Sequence, residues 1–423
     1  MRPCWLVSPN RDHQERDGAD AMVQTTSSST LLPKDVRRVY ANVLKFNDHH
    51  RLTTYNITNR CNLRCEGCFF YEGDKMSSLR DDRTVDQWRD FFAREKARGI
   101  VVCDIAGGEP ALNRDRLRLA AEYFEHGIIY SNGIIPIPPD IRFKIHVSLW
   151  GDEASDLDVR GAPILRKAIE NYRNDPRAVV VYTFNHFNIE HVFDVAQQVH
   201  DAGIQLSFNH FSATEQYNAK LSGVVEAKRS KTFKISTPED NLRLTPEDLI
   251  RVRDVCSELM LRYPQTVVYS ETINEAVNRP EGVFTVDPQT GEAIDCWSLN
   301  AKQNDGGYRN YQTDFSVGRC CLPNTDCSEC RVYVVMYGKL IFGTQQALLK
   351  DGRLLTQDER AAREALRDPE ELVRWLDVVD TWLALSVVGY ERQRIYFRKG
   401  HEPKSIGSVE QGKPFDEEQR EIA

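Results

Sequence analysis

The stretch Thr53-Thr54-Tyr55-Asn56-Ile57-Thr58-Asn59-Arg60-Cys61-Asn62-Leu63-Arg64-Cys65-Glu66-Gly67-Cys68 joins a strand signal to a ligand signal. Its first six residues are β-branched, aromatic or short and polar, which reads as a strand. Three cysteines follow at once with C-x3-C-x2-C spacing. Three thiolates in one short loop can reach three corners of an iron–sulfur cube. They leave the fourth iron without a protein ligand, in contrast with the four-cysteine sets of electron-transfer clusters. An open iron is a place for a substrate or cofactor to coordinate.

Outward from this stretch the chain alternates. Thr84 with Gln87 reads as a capping box, opening a helix with Val85, Trp88, Phe91 and Phe92 on one side and closing at Gly99. Strands are expected at 101–106, 128–131, 143–149, 178–184 and 204–211, and helices at 114–126, 164–172 and 189–201. Six strands separated mostly by helices argue for an α/β fold with a parallel sheet of βα units. A flat doubly wound sheet and a curved partial barrel share this pattern.

After Phe211 the rhythm changes. Residues 212–244 are polar and read as loop, with Lys228-Arg229-Ser230-Lys231 as a solvated basic cluster. Thr245-Pro246 opens a helix. A strand is expected at 266–269, a hairpin at 332–342 turning on Tyr337-Gly338-Lys339, helix across most of 356–398, and a polar tail at 401–423.

Asn59-Arg60-Cys61-Asn62-Leu63-Arg64-Cys65 resembles the cluster loop of the radical S-adenosylmethionine (SAM) superfamily, and Gly107-Gly108-Glu109-Pro110 is similar to its Gly-Gly-Glu-Pro loop. The resemblance implies a [4Fe–4S] cluster on Cys61, Cys65 and Cys68, with SAM on the open iron. Its reductive cleavage to a 5′-deoxyadenosyl radical is implied as well. It implies that Gly107, Gly108, Glu109 and Pro110 receive the methionine ammonium. Ser131, Asn132 and Ser148 are similar to residues that touch the methionine carboxylate or ribose. Two positions depart from the family. Gly67 stands where an aromatic residue is usual, so that Phe70 or Phe69 is expected to pack near the adenine. Trp150 stands where many members carry Asp.

Cys296, Cys320, Cys321, Cys327 and Cys330 crowd into 35 residues. This region resembles, more loosely, the cysteine-rich SPASM or twitch extensions that carry an auxiliary [4Fe–4S] cluster. Adjacent Cys320 and Cys321 diverge in direction, so one of them is expected not to ligate. A zinc site or unmetallated thiols are the alternatives. Cys103 and Cys256, in apolar contexts, read as buried, inert thiols.

In a barrel alternate strand residues point inward. Asp104, His146, Asn185 and Asn209 are the candidate catalytic residues on such a polar inner set, and Lys144 shares the face of His146 and Ser148. The expected architecture is a (β/α)6 partial TIM barrel with a C-terminal α+β auxiliary-cluster region. Its expected parts are a partly disordered lead at 1–50, a core at 51–215, a cysteine-rich region at 216–345, C-terminal helices at 346–400 and a tail at 401–423.

The net charge of −8 gives no general electrostatic footprint for nucleic acid, and no apolar run is long enough to span a membrane. No secretory h-region opens the chain, so the cytoplasm is expected. The expected activity is hydrogen-atom abstraction from a small polar substrate (a sugar, nucleoside or amino-acid derivative) in a specialised biosynthetic pathway. Flavodoxin or ferredoxin would donate the electron. The rivals are a SPASM-type peptide-modifying maturase and a non-catalytic Fe–S carrier or sensor. Only 60 residues precede Cys61, which argues against the peptide-recognition domain that such maturases often carry.

Overall fold

Six strands form where the alternation places them: Leu52–Asn56 (β1), Val102–Ala106 (β2), His126–Ser131 (β3), Lys144–Leu149 (β4), Ala178–Phe184 (β5) and Gln205–His210 (β6). They come from a computed structural model that describes residues 51–72, 79–223, 234–300, 308–320, 325–349 and 369–394. These residues fall in one compact unit, Leu31–Ala423. The lead at 1–50, the 228–231 basic cluster, Cys321 and the tail at 401–423 lie outside the described residues.

Every strand pairs in parallel with the next in sequence, and Asn310–Tyr311 (β7) adds to the free side of β1, giving the order β6-β5-β4-β3-β2-β1-β7. The monotonic run from β1 to β6 separates the two architectures that the sequence left open. A doubly wound sheet reverses direction at a switch point. From β1 to β6 it never reverses, and right-handed crossovers then put the helices that connect these strands on one face. The fold is α/β, a partial barrel of seven parallel strands.

The connecting helices are Val85–Ala97 (α1), Arg114–Tyr123 (α2), Glu153–Arg160 (α3), Leu165–Tyr172 (α4) and Val192–Asp201 (α5). The Thr84 hydroxyl accepts from the Gln87 N–H, and the Gln87 side chain accepts from the Thr84 N–H, closing the expected capping box. Beneath α1, Tyr55 meets Phe91 and Phe92 edge-on at centroid distances of 5.7 and 5.3 Å. Ile105, Ile129, Ile145, Val147, Val180 and Tyr182 extend this apolar outer face and are buried. The inner face carries Thr54, Asn56, Asp104, Tyr130, His146, Ser148, Thr183 and Asn209. Apolar outside and polar inside is the reverse of a barrel that merely packs its core.

Beyond β6 come Glu215–Leu221 (α6), Pro246–Arg262 (α7), Glu271–Val277 (α8), Tyr333–Leu349 (α9) and Pro369–Ser386 (α10). Helix α6 lies within 212–244, which the composition gave as loop; Thr214 caps it, accepting from the Tyr217 N–H. The expected strand at 266–269 reduces to one bridge, Leu206 with Val267, on the edge of β6.

The expected hairpin at 332–342 is instead helix α9. Its β-branched and aromatic residues imitate a strand because this helix is apolar on most sides, as a buried helix is. Gly338, read as a turn residue, lies in mid-helix, where a Cβ would stand 3.0 Å from the Trp297 ring. His146 binds the Tyr333 hydroxyl of α9 and the Leu385 carbonyl of α10, so the C-terminal helices reach the inner face.

Candidate cofactor and active site

A cavity of about 310 Å3 opens on the inner face. Cys61, Cys65 and Cys68, from the loop after β1, line one part of it, and Phe69 and Phe70 stand beside them. Burial pushes the Cys61 thiol up to about 11 and the Cys68 thiol up to about 12. A metal that takes these sulfurs must displace their protons.

Two buried carboxylates shape the cysteine loop. Glu66 Oε2 accepts from the N–H groups of Lys234 and Ile235, both at 2.7 Å, and Oε1 accepts from the Ser236 N–H at 3.2 Å. Glu72 accepts from the Gly67 N–H at 3.0 Å and pairs with the buried Lys220. Gly67 has φ +65°, and a Cβ there would lie 2.4 Å from the Phe211 ring. An aromatic side chain cannot stand at this position because Phe211 already fills its place.

The 107–110 turn lies against the cysteine loop. The Gly108 N–H donates to the Thr58 carbonyl at 2.8 Å and the Glu109 N–H to the Arg60 carbonyl at 2.7 Å. A Cβ on Gly108 would stand 2.3 Å from the Arg60 carbonyl oxygen, so glycine here serves loop-on-loop packing. Glu109 is buried. Its Oε1 accepts from the Ala111 N–H and the Ser131 hydroxyl, both at 2.9 Å, and Oε2 from the Asn132 N–H at 2.7 Å. Burial raises its pKa, while these donors and Arg160 pull against the rise. Asn132 Nδ2 donates to Asn62 Oδ1 at 2.8 Å, tying the third loop to the first.

Cys61, Cys65, Cys68, Phe70, Gly107, Gly108, Glu109, Ser131, Asn132 and Ser148 all face this one cavity, as do Asp104, His146 and Asn209. Pro110 does not; it is buried in the turn behind Glu109. Nor does Asn185, which lies past the end of β5, where its Oδ1 accepts from the Phe187 N–H at 3.0 Å. Lys144 lies deeper, at the start of β4, donating to Gln205 Oε1 at 2.9 Å; burial lowers its pKa to about 8. Trp150 donates its indole N–H to Ser148 Oγ at 3.2 Å.

Four site residues escaped the sequence reading. Arg160, at the end of α3, is buried, lines the cavity and hydrogen-bonds Cys65. No sequence signal marks it. Tyr130 sits on the inward parity of β3 and was readable. Tyr308 and Tyr333 arrive from segments whose docking the local sequence does not encode.

The C-terminal cysteines come together. Burial pushes the Cys330 thiol up strongly, and Cys296, Cys320 and Cys327 are near enough to add to the rise. Arg319 donates to Cys327 Sγ at 3.6 Å. Trp297, Ser298 and the 332–335 segment, next in sequence to Cys296 and Cys330, line the main cavity. Cys103 and Cys256 are buried free thiols. Among the described residues no three His, Cys, Asp or Glu side chains stand close enough to hold one metal ion. Thiolates that each take a different iron of a cube have no such requirement.

The donor set therefore fits an iron–sulfur cluster: soft sulfur ligands around a cavity, with a cation beside them. The model of the Radical SAM superfamily matches residues 55–154. The sporulation killing factor maturation protein SkfB of Bacillus subtilis (strain 168) is 24% identical over 168 residues, covering 36% of this chain and 40% of that protein. Molybdenum cofactor biosynthesis protein 1 of Dictyostelium discoideum is 32% identical over 71 residues, 17% of this chain and 11% of that protein. The chain thus spans less than half the length of either curated relative. Among solved structures, native anSMEcpe with bound AdoMet gives a TM-score of 0.42 at 14% identity, covering 79% of this chain and 96% of that one. Residues 55–154, which carry the three-cysteine loop, the 107–110 turn, the 131–132 loop and Ser148, are the part of this chain that matches the Radical SAM superfamily.

Proposed function

We propose that the protein is a radical SAM enzyme whose Cys61, Cys65 and Cys68 hold a [4Fe–4S] cluster and which acts on a small polar substrate in the barrel. One observation carries the reading. The cysteine loop, the 107–109 turn and the 131–132 loop follow three different strands and meet on one cavity. When bound, the cluster supplies the electron that splits SAM into methionine and a 5′-deoxyadenosyl radical. The chain's own residues position the ligand. Glu109 Oε2 keeps one lone pair for an ammonium, and Arg160 presents a cation for a carboxylate. Phe70 offers a ring face to the adenine, and Ser148 and Asn132 offer polar atoms to the ribose or carboxylate.

Cys296, Cys327, Cys330 and one of Cys320 and Cys321 would hold a second cluster. Flavodoxin or ferredoxin would supply electrons in the cytoplasm. No described helix is long and apolar enough to cross a membrane. The core at 51–215 and the cysteine-rich region at 216–345 would then divide the two clusters between them. A peptide substrate is the second reading, favoured by the resemblance to a maturation protein.

Anaerobically reconstituted protein with SAM and dithionite should form 5′-deoxyadenosine, and the Cys61→Ala/Cys65→Ala/Cys68→Ala variant should form none. Product from the variant, or its absence from the wild type, would sink the reading.

A further inference from the structure

We propose that Asp104 selects the substrate: its free carboxylate oxygen, Oδ1, takes a hydrogen bond from a hydroxyl or ammonium group of the molecule in the cavity. This rests on the reading of the cavity as the active site and deepens it by naming what the substrate must carry.

Asp104 lies in the middle of β2, is buried, and lines the cavity. Tyr130, on the neighbouring strand, donates its hydroxyl to Oδ2 at 3.1 Å. Oδ1 is buried and has no partner among the described residues. The other polar groups nearby are committed elsewhere. Thr54, paired in register with Asp104, and the Tyr308 hydroxyl share a hydrogen bond of 2.9 Å, and neither hydroxyl bonds Oδ1. The Leu385 carbonyl can only accept, so His146 Nε2 carries the proton it donates there at 2.8 Å. Burial keeps that imidazole neutral, its pKa lowered to about 3, so Nδ1 is an acceptor. The Tyr333 hydroxyl must then donate to Nδ1, at 2.5 Å, and has no proton left for Asp104.

Burial pushes the Asp104 carboxyl up to about 7, opposed only by the Tyr130 hydrogen bond, and no Lys or Arg side chain contributes. A buried acceptor left without a donor is a structural cost that native proteins rarely carry without a reason. A ligand donor removes that cost. A ligand without one leaves Oδ1 unpaired and should bind at least about tenfold more weakly.

Because the natural substrate is unidentified, the test uses isosteric probes: cyclohexanol and cyclohexylamine, which donate, and cyclohexanone, which only accepts. Their affinities for the reconstituted full chain are measured by ligand-observed NMR at about pH 8.5, above the raised Asp104 pKa, where Oδ1 is an acceptor. Wild type should prefer at least one donor probe over cyclohexanone by about tenfold, and Asp104→Asn, which removes the charge, should erase most of that preference. Equal affinity for all three, no binding of either donor probe, or an unchanged preference in Asp104→Asn overturns the proposal. Should the variant fail to fold, the comparison within the wild type still decides. Formation of 5′-deoxyadenosine by the same wild-type preparation is scored separately. It tests the parent reading and can succeed where the probe preference fails.

Discussion

Glu109 is a scaffold carboxylate that also lines the cavity, so the role proposed for it in holding SAM would share its oxygens with two loops. The sequence marks it as an acceptor for an ammonium. In the fold it also receives two N–H groups and a hydroxyl that join the 107–110 turn to the 131–132 loop. A glutamine there offers one oxygen and one NH2, so in either orientation a buried donor faces another donor. Each group left unsatisfied costs about 1–3 kcal/mol, beyond the lost attraction for a cation. Glu109→Gln should therefore weaken SAM binding by one to two decades, about 1.4 kcal/mol each, and lower Tm by a few degrees while the cluster absorbance persists. Calorimetric titration with SAM and a melting curve on one preparation check both effects. Unchanged values of both would leave Glu109 idle. Most of the loop residues that line the cavity were legible because they sit in short motifs at strand ends. Arg160 was not, since a lone arginine closing a short helix looks like any surface cation until Cys65 and Ser148 are seen beside it.

Among the elements, the cysteine loop is held closely by the Glu66 and Glu72 hydrogen bonds and by Phe211. Gly67 has φ +65° and lies directly under the Phe211 ring, which Trp150 and Tyr217 hold edge-on at 5.8 and 5.3 Å. Gly67→Ala forces a left-handed alanine and displaces Phe211, shifting Cys65 and Cys68 with it. Gly223→Ala is the matched control, since it has φ +74° but nothing within 4 Å of its added Cβ. Iron bound per chain after reconstitution should fall in Gly67→Ala and stay at the wild-type level in Gly223→Ala. Equal retention would mean the loop tolerates the shift. Strands β1 to β6 were legible because each is a short run rich in β-branched and apolar residues, alternating with polar ones in β1, β4 and β6, that ends at a turn or cap. Helix α9 was not. Its residues are apolar on most sides because Trp297, α8 and α10 pack against it, and that environment comes from residues tens of positions away.

Across the whole molecule, the second cysteine group is tied to the barrel's first strand. Strand β7 pairs with β1 through Thr54 and Asn310. Asn56 donates to Asn310 Oδ1 at 2.8 Å, and Asn310 donates in turn to the Cys320 carbonyl at 2.8 Å. This anchoring uses backbone and amide groups and none of the thiols of Cys61, Cys65 or Cys68. The C-terminal sulfurs are therefore positioned whether or not the first loop holds metal. Their softness favours iron–sulfide over hard cations, and Arg319 beside Cys327 lowers the cost of gathering thiolates. The Cys61→Ala/Cys65→Ala/Cys68→Ala variant, reconstituted anaerobically, should thus retain about four iron and four sulfide per chain. Adding Cys327→Ala and Cys330→Ala should remove both. Iron and acid-labile sulfide analysis of the two variants gives the answer. A triple variant that is iron-free, or holds zinc alone, would rule out a second cluster and leave the C-terminal cysteines as a structural group closing the edge of the barrel at β7.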